Sequence, residues 1–246
     1  MKKITVLIFI LCLFSRYVSP GQLDRFIFTQ VRHEGYWDPY PDIFQEILSF
    51  LVSTTSIEVI SSRRVVSFSS DELFESPFLV ITGSGDIGRL NKEQIDNVGK
   101  FIKGGGVIFV DSSEAVMGST LISSIKREFK RVFPDSVFED IPRDHAVLRS
   151  FYLLRTIGGR RIVSNTLKGL KVDGFTSVII SENDCLGAWA RDKLGNHIYS
   201  CTPGGEKQRL EAIKLTANII IYGFTGTYKT DAIHIPFILQ KLKTRY

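Results

Sequence analysis

Three short segments are apolar almost without interruption: "FLVIT" at 78–82, "VIFV" at 107–110 and "SVIIS" at 177–181. Each breaks at once into polar residues. A strand that is apolar on both sides must be covered on both sides, which is the condition of a mainly parallel sheet beneath helices. The intervening chain carries the matching helices. Residues 41–56 place apolar side chains at 43, 44, 47, 48, 51 and 52, a helical period. Residues 119–134 form a second amphipathic segment that stops at Pro134. A third is announced by Asn91, an N-cap with Gln94 three residues on, and is closed by Gly104 to Gly106. This alternation predicts an α/β chain with a three-layer α/β/α build, flavodoxin-like or Rossmann-like. Its 43% hydrophobic content over 246 residues suits one large core.

The rest of the pattern is weaker. Residues 25–33 read as a first strand, and 57–61 and 65–69 as two short β runs. "SDELFES" reads as a helical turn, and 135–154 are ambiguous. "RRIVS" at 160–164 and "FTSVIIS" at 175–181 resume the β signal, and "LGN" at 194–196 sits in a hairpin-like excursion. Residues 204–226 read as a long helix with a core stripe of Leu210, Ile213, Leu215, Ala217, Ile220 and Ile221. Asn218 falls inside that stripe and needs a hydrogen-bond partner. The tail ends in a short helical segment.

The N-terminus has its own grammar. Lys2 and Lys3 precede eleven apolar or near-apolar residues, Ile4 to Phe14, and a polar exit with Ser19 and Gly21. That is the layout of a cleavable secretory signal over residues 1–21, followed by a single domain over 22–246. The expected destination is the periplasm or the medium, with an uncleaved membrane anchor as the alternative. Removing Lys2, Lys3 and Arg16 takes the formal charge from +5 to +2, so the basicity belongs to targeting and not to nucleic-acid binding. Cys185 and Cys201 are the cysteines left after cleavage, and an oxidising compartment would let them pair.

In open α/β sheets, ligands sit beyond the carboxyl ends of the strands. The first strand runs into His33, Glu34, Trp37 and Asp38, and the second apolar one into Gly83, Ser84 and Asp86. The third ends in Asp111 and Ser112, and the last in Glu182, Asn183 and Asp184, with Trp189 close behind. Parallel pairing makes these loops neighbours. The expected ligand-binding set is therefore His33, Glu34, Trp37, Asp38, Gly83, Ser84, Asp111, Asn183, Asp184 and Trp189. The two tryptophans, the only ones in the chain, add aromatic surface beside polar groups.

Taken together, "HEGYWDPYPD", "SPFLVITGSGD", "FIKGGGVIFVDSSE", "DHAVLRSFYLL", "SENDCLGAWARD" and the long final helix with "YKTDAIHIP" resemble an uncharacterised bacterial family. That family is known as a domain of unknown function with a glutamine-amidotransferase-like fold, and the resemblance spans about Asp24 to Lys243. It implies a flavodoxin-like core and supplies no reaction. Amidotransferases of this fold carry a cysteine nucleophile on a tight elbow. Here "VIFVDSSE" occupies that place, with Asp111 and Ser112 where the cysteine would stand.

Other chemistries have residue types but no motif. Cys185 closely follows the acids Glu182 and Asp184, which would raise its pKa. Ser112 or Ser84 with His33 or His145 as base would make a hydroxyl nucleophile. His33, Glu34, Asp38, Asp111 and Asp184 are metal-ligand types without a recognised spacing, and no cofactor or metal is expected. "GSGDIG" reads as a turn. His145 reads as a half-buried hydrogen-bonding histidine, and His234 as a packing or capping one. The expectation is a domain without the thiol centre that binds a small polar ligand or an envelope protein. A hydrolase of envelope substrates using Ser112 or a carboxylate–histidine set is one alternative. A structural component of an envelope complex is the other.

Overall fold

The computed structural model describes residues 25–228, with side chains to Thr225. The expected signal segment, the expected tail helix and His234 lie outside the described residues. Seven strands form one sheet: β1 (Arg25–Val31), β2 (Glu58–Val66), β3 (Phe78–Gly83), β4 (Val107–Ser112), β5 (Phe138–Asp140), β6 (Lys168–Val172) and β7 (Phe175–Ser181). Four α-helices accompany them: α1 (Ile43–Thr54), α2 (Lys92–Lys103), α3 (Thr120–Val132) and α4 (Gly205–Tyr228). The strand order is β2-β1-β3-β4-β7-β6-β5. The first five in that order pair in parallel, and β6 and β5 extend the sheet antiparallel.

Strand periodicity sorts the core into two faces. Phe26, Phe28, Phe78, Val80, Val107, Phe109 and Ile179 pack with Ile43, Ile47 and Leu51 of α1 and Leu215 and Ile219 of α4. The alternate residues Val31, Leu79, Ile81, Ile108, Val110, Val178 and Ile180 pack with Val98, Phe101 and Ile102 of α2 and Leu121, Ile125 and Phe129 of α3. All six residues of β3 and all six of β4 are buried, which is why their sequences do not alternate.

Helix starts follow the sequence. Asn91 accepts from the Gln94 N–H, and the Gln94 side chain accepts from the Asn91 N–H, a complete capping box. Ser119 caps α3. Asn218 finds its partners in the 146–152 segment, accepting from the Phe151 and Tyr152 N–H groups and donating to the Tyr152 carbonyl.

Four readings change. The β runs at 57–61 and 65–69 are one strand, β2, because an edge strand tolerates the polar Ser61–Arg64 stretch between them. "RRIVS" forms no strand; it contributes a single bridge from Arg161 to Thr202. The β signal belongs instead to β6, "KGLKV". Leu210 is exposed, since the first turns of α4 bury Gln208, Arg209 and Ala212 instead, while Leu215, Ala217, Ile220 and Ile221 are buried. Among the described residues no helix is long and apolar enough to cross a membrane.

Candidate functional site

The carboxyl ends of β1, β3, β4 and β7 lie along one edge, so Trp37, Asp111 and Asn183 share an end of the sheet. Most of the polar groups there bond to one another. The reversal of strand order between β1 and β3 is closed by the chain itself. Tyr36 and Ser84 exchange both backbone hydrogen bonds, at 2.9 and 3.0 Å. Gly83, at φ 124°, lies so close beneath that turn that a Cβ would strike the Tyr36 carbonyl oxygen. His33 is buried there. Its Nε2 donates to the Thr82 carbonyl at 3.0 Å and its Nδ1 accepts the Gly35 N–H at 3.1 Å. Burial lowers its pKa, which keeps the imidazole neutral.

The neighbouring residues are similarly engaged. Asp38 takes both terminal nitrogens of Arg63, at 2.6 and 2.9 Å, and the Arg63 guanidinium lies over the Trp37 ring. Glu34 is exposed. Ser112 donates to Ser119 at 2.8 Å and to Glu114 at 3.4 Å, with no histidine among its partners. His145 is not at this edge. Its Nε2 meets Thr176 at 3.0 Å, at the amino end of β7, and its ring lies beside Tyr222. The pairing of either serine with His145 therefore fails on distance along the sheet.

The corner between β4 and β7 is the most charged buried point. Asp111 accepts the Cys185 N–H at 3.0 Å and the Leu186 N–H at 2.7 Å. Asp184, at φ 56°, accepts from the Tyr40 hydroxyl at 2.8 Å, the Gly187 N–H at 3.0 Å and the Arg160 Nε. Both carboxyls are fully buried. Burial pushes Asp111 up to about 8, with the Asp184 charge adding to the rise against its two N–H bonds. Burial raises Asp184 also, opposed by Arg160 and Tyr40. Asn183 works as a staple for the 158–164 loop: it accepts the Val163 and Ser164 N–H groups and donates to the Ser164 carbonyl, each at 2.8 Å.

The thiols are enclosed. Cys185 and Cys201 are both free and buried, so the pairing considered from sequence does not form. Burial and the Asp111 charge push the Cys185 thiol far up, the reverse of what a nucleophile requires. Trp189 is in the core, donating to Thr216 at 3.1 Å with its ring edge-on to Phe50. Among the described residues no three His, Cys, Asp or Glu side chains come together as a metal site.

The open space lies one layer outward. A groove of about 400 Å³ runs between the loop and first turn of α1, residues 39–46, and the 190–199 excursion. Tyr40 and Tyr199 line it and contact each other edge-on. Both are tied to the buried corner, Tyr40 through Asp184 and Tyr199 through the Arg160 guanidinium over its ring. A second cavity of about 220 Å³ adjoins, lined by Phe50, Trp189, His197 and Ile213 among others. Glu46 and Arg191 line both. None of these groove residues except Trp189 figured among the expected site residues. Their one legible signal was the "LGN" turn, which marked a projecting hairpin.

Residues 27–224 match a family described as Domain of unknown function (DUF4159). No curated protein matches the chain.

Proposed function

The chain belongs to the DUF4159 family, a domain of unknown function, and we propose that it is an exported binding domain of three-layer, flavodoxin-like and amidotransferase-like build. It takes a small polar ligand, or a polar segment of an envelope protein, in the groove between residues 39–46 and 190–199. The observation that carries this reading is the groove itself, about 400 Å³ of open space at the strand ends. Its tyrosine walls are braced from behind by buried Asp184 and the half-buried Arg160 paired with it. Rigid walls of mixed polar and aromatic character are what a ligand site requires.

The strand order 2-1-3-4 with helices on both sheet faces supports the flavodoxin-like assignment. Asp111 and Ser112 in the elbow position, each held by internal hydrogen bonds, support loss of thiol catalysis. The basic and apolar opening residues support export to the periplasm or beyond. The hydrolase alternative is weakened by the lack of a histidine beside Ser112, and no observation favours the structural-component alternative.

The test is a thermal-shift screen of residues 22–246 against amino acids, sugars and nucleotides, repeated with Tyr199→Ala. A compound that raises the melting temperature of the wild type and not of the variant supports the groove. Stabilisation that persists unchanged in Tyr199→Ala places the ligand elsewhere and ends the reading.

A further inference from the structure

The two cavities are separated by one ion pair. Glu46 Oε2 lies 3.2 Å from Arg191 Nε, with both side chains partly exposed, 44% and 37%. A pair this exposed contributes little, so opening it costs little. The two charges stand on separate elements. Glu46 stands in the first turn of α1, a regular helix packed on the sheet. Arg191 also donates through Nη1 to the Gly195 carbonyl, a bond internal to the hairpin. Parting the pair would leave an anion on the helix and a cation on the hairpin a few ångströms apart, with open space on either side.

The surroundings narrow what fits. Charge in the two cavities is nearly balanced, Asp42, Glu46 and Asp192 against Arg191 and Lys193. That balance suits a ligand with no net charge. Asp192 is already engaged by the N–H groups of Leu194 and Asn196. On the smaller side Phe50, Trp189 and Ile213 offer apolar surface. His197 lines the same cavity, and its Nδ1 is buried without a hydrogen-bond partner. A buried polar atom left unpaired is costly, and a ligand oxygen would recover that cost as the hairpin adjusts.

We propose that the Glu46–Arg191 pair is the docking point of a small zwitterion, an α-amino acid with an apolar side chain. Its ammonium takes Glu46 and its carboxylate takes Arg191, so one internal ion pair is exchanged for two. The side chain enters the smaller cavity, and a carboxylate oxygen reaches the His197 Nδ1–H. This proposal rests on the reading of the groove as a ligand site.

Calorimetric titration of residues 22–246 with L-leucine, L-leucinamide, N-acetyl-L-leucine and glucose tests it. Leucine should bind, and the amide and the acetyl derivative, each lacking one charge, should bind at least about tenfold more weakly, equivalent to about 1.4 kcal/mol. Glu46→Gln should weaken leucine and leave N-acetyl-leucine unchanged. Arg191→Gln should weaken leucine and leave leucinamide unchanged. Equal binding of leucine and its two derivatives overturns the zwitterion, as does no leucine heat at ligand up to about 10 mM. Binding of glucose alone, lost in Tyr199→Ala, removes the zwitterion and keeps the groove. No Tyr199-sensitive binding by any compound, here or in the wider thermal-shift screen, removes both.

Discussion

Asp111 and Asp184 are the residues whose chemistry departs furthest from their free behaviour. Two acids are buried at one corner with a single arginine, so the folded state holds protons that the unfolded chain releases. Asp111 stands at about 8 in the fold against 3.8 ordinarily. A raised pKa contributes stability that is whole below the unfolded value. That contribution is lost as the pH climbs from about 4 to about 8, and is level above. Asp184 shifts in the same direction. Asp86, paired with Arg127, is lowered to about 2, so its opposite effect falls below this window. Burial lowers His33, His145 and His197 from 6.5, and these act in the opposite direction up to that value, so the protein should lose stability between about pH 6.5 and pH 8, with a slope of at most about 1.4 kcal/mol per unit for one group. Denaturant unfolding across that range checks it. Asp111→Asn, which keeps one acceptor for the Cys185 and Leu186 N–H groups, should be less stable at pH 5 and show a shallower slope. A wild-type midpoint that does not fall between about pH 6.5 and 8 contradicts the buried, proton-holding carboxyl. Sequence marked Asp111, Asn183 and Asp184 as important but had no means to separate binding from bracing. A side chain that staples a loop and one that waits for a ligand have the same composition, and the difference lies in partners distant in the chain, such as Arg160 and Tyr40.

Elements were legible where the signal was local. The helix from Lys92 was readable because its start depends on residues three apart, Asn91 and Gln94, and the capping box is complete. Asn91→Ala should cost about 1 kcal/mol, read as a lowered denaturation midpoint with unchanged cooperativity. Asn91→Ser should recover most of it, and an unaffected Asn91→Ala would show that α2 is held by its buried Val98, Phe101 and Ile102 alone. Elements failed to read where the signal was set by position in the sheet. β2 carries Arg63 and Arg64 in mid-strand because it is an edge, with Arg63 reaching Asp38 and Arg64 reaching Glu75. "KGLKV" carries two lysines, and it pairs along β7 from Lys168–Ile180 to Val172–Phe175. β5, three residues long, has no periodicity to detect. The "RRIVS" segment has the composition of a strand, but its backbone is spent on Asn183 and Thr202.

At the scale of the molecule, the class was readable because it follows from burial on both faces. The groove was not, because it is made by a helix start and a hairpin separated by nearly 150 positions. The same division predicts how the protein opens. β3 and β4 lie between two cores and bond to a parallel neighbour on each side. Their amides can exchange only when the whole domain unfolds. β5 bonds to β6 alone and its residues are half-buried or exposed. The 191–199 hairpin, exposed along most of its length, is held by short local bonds, by the Glu46 pair and by Arg209 on the Tyr199 carbonyl. Hydrogen exchange followed by mass spectrometry should therefore rank β5 and the 191–199 hairpin fastest and β3 and β4 slowest. The slow group should share one opening free energy equal to that from denaturant unfolding. A groove ligand should slow the hairpin selectively and leave β5 unchanged, since β5 lies at the far edge of the sheet. If instead the hairpin is already as protected as β4 in the free protein, its position is fixed. The exchange of the Glu46–Arg191 pair for a ligand would then have no moving part.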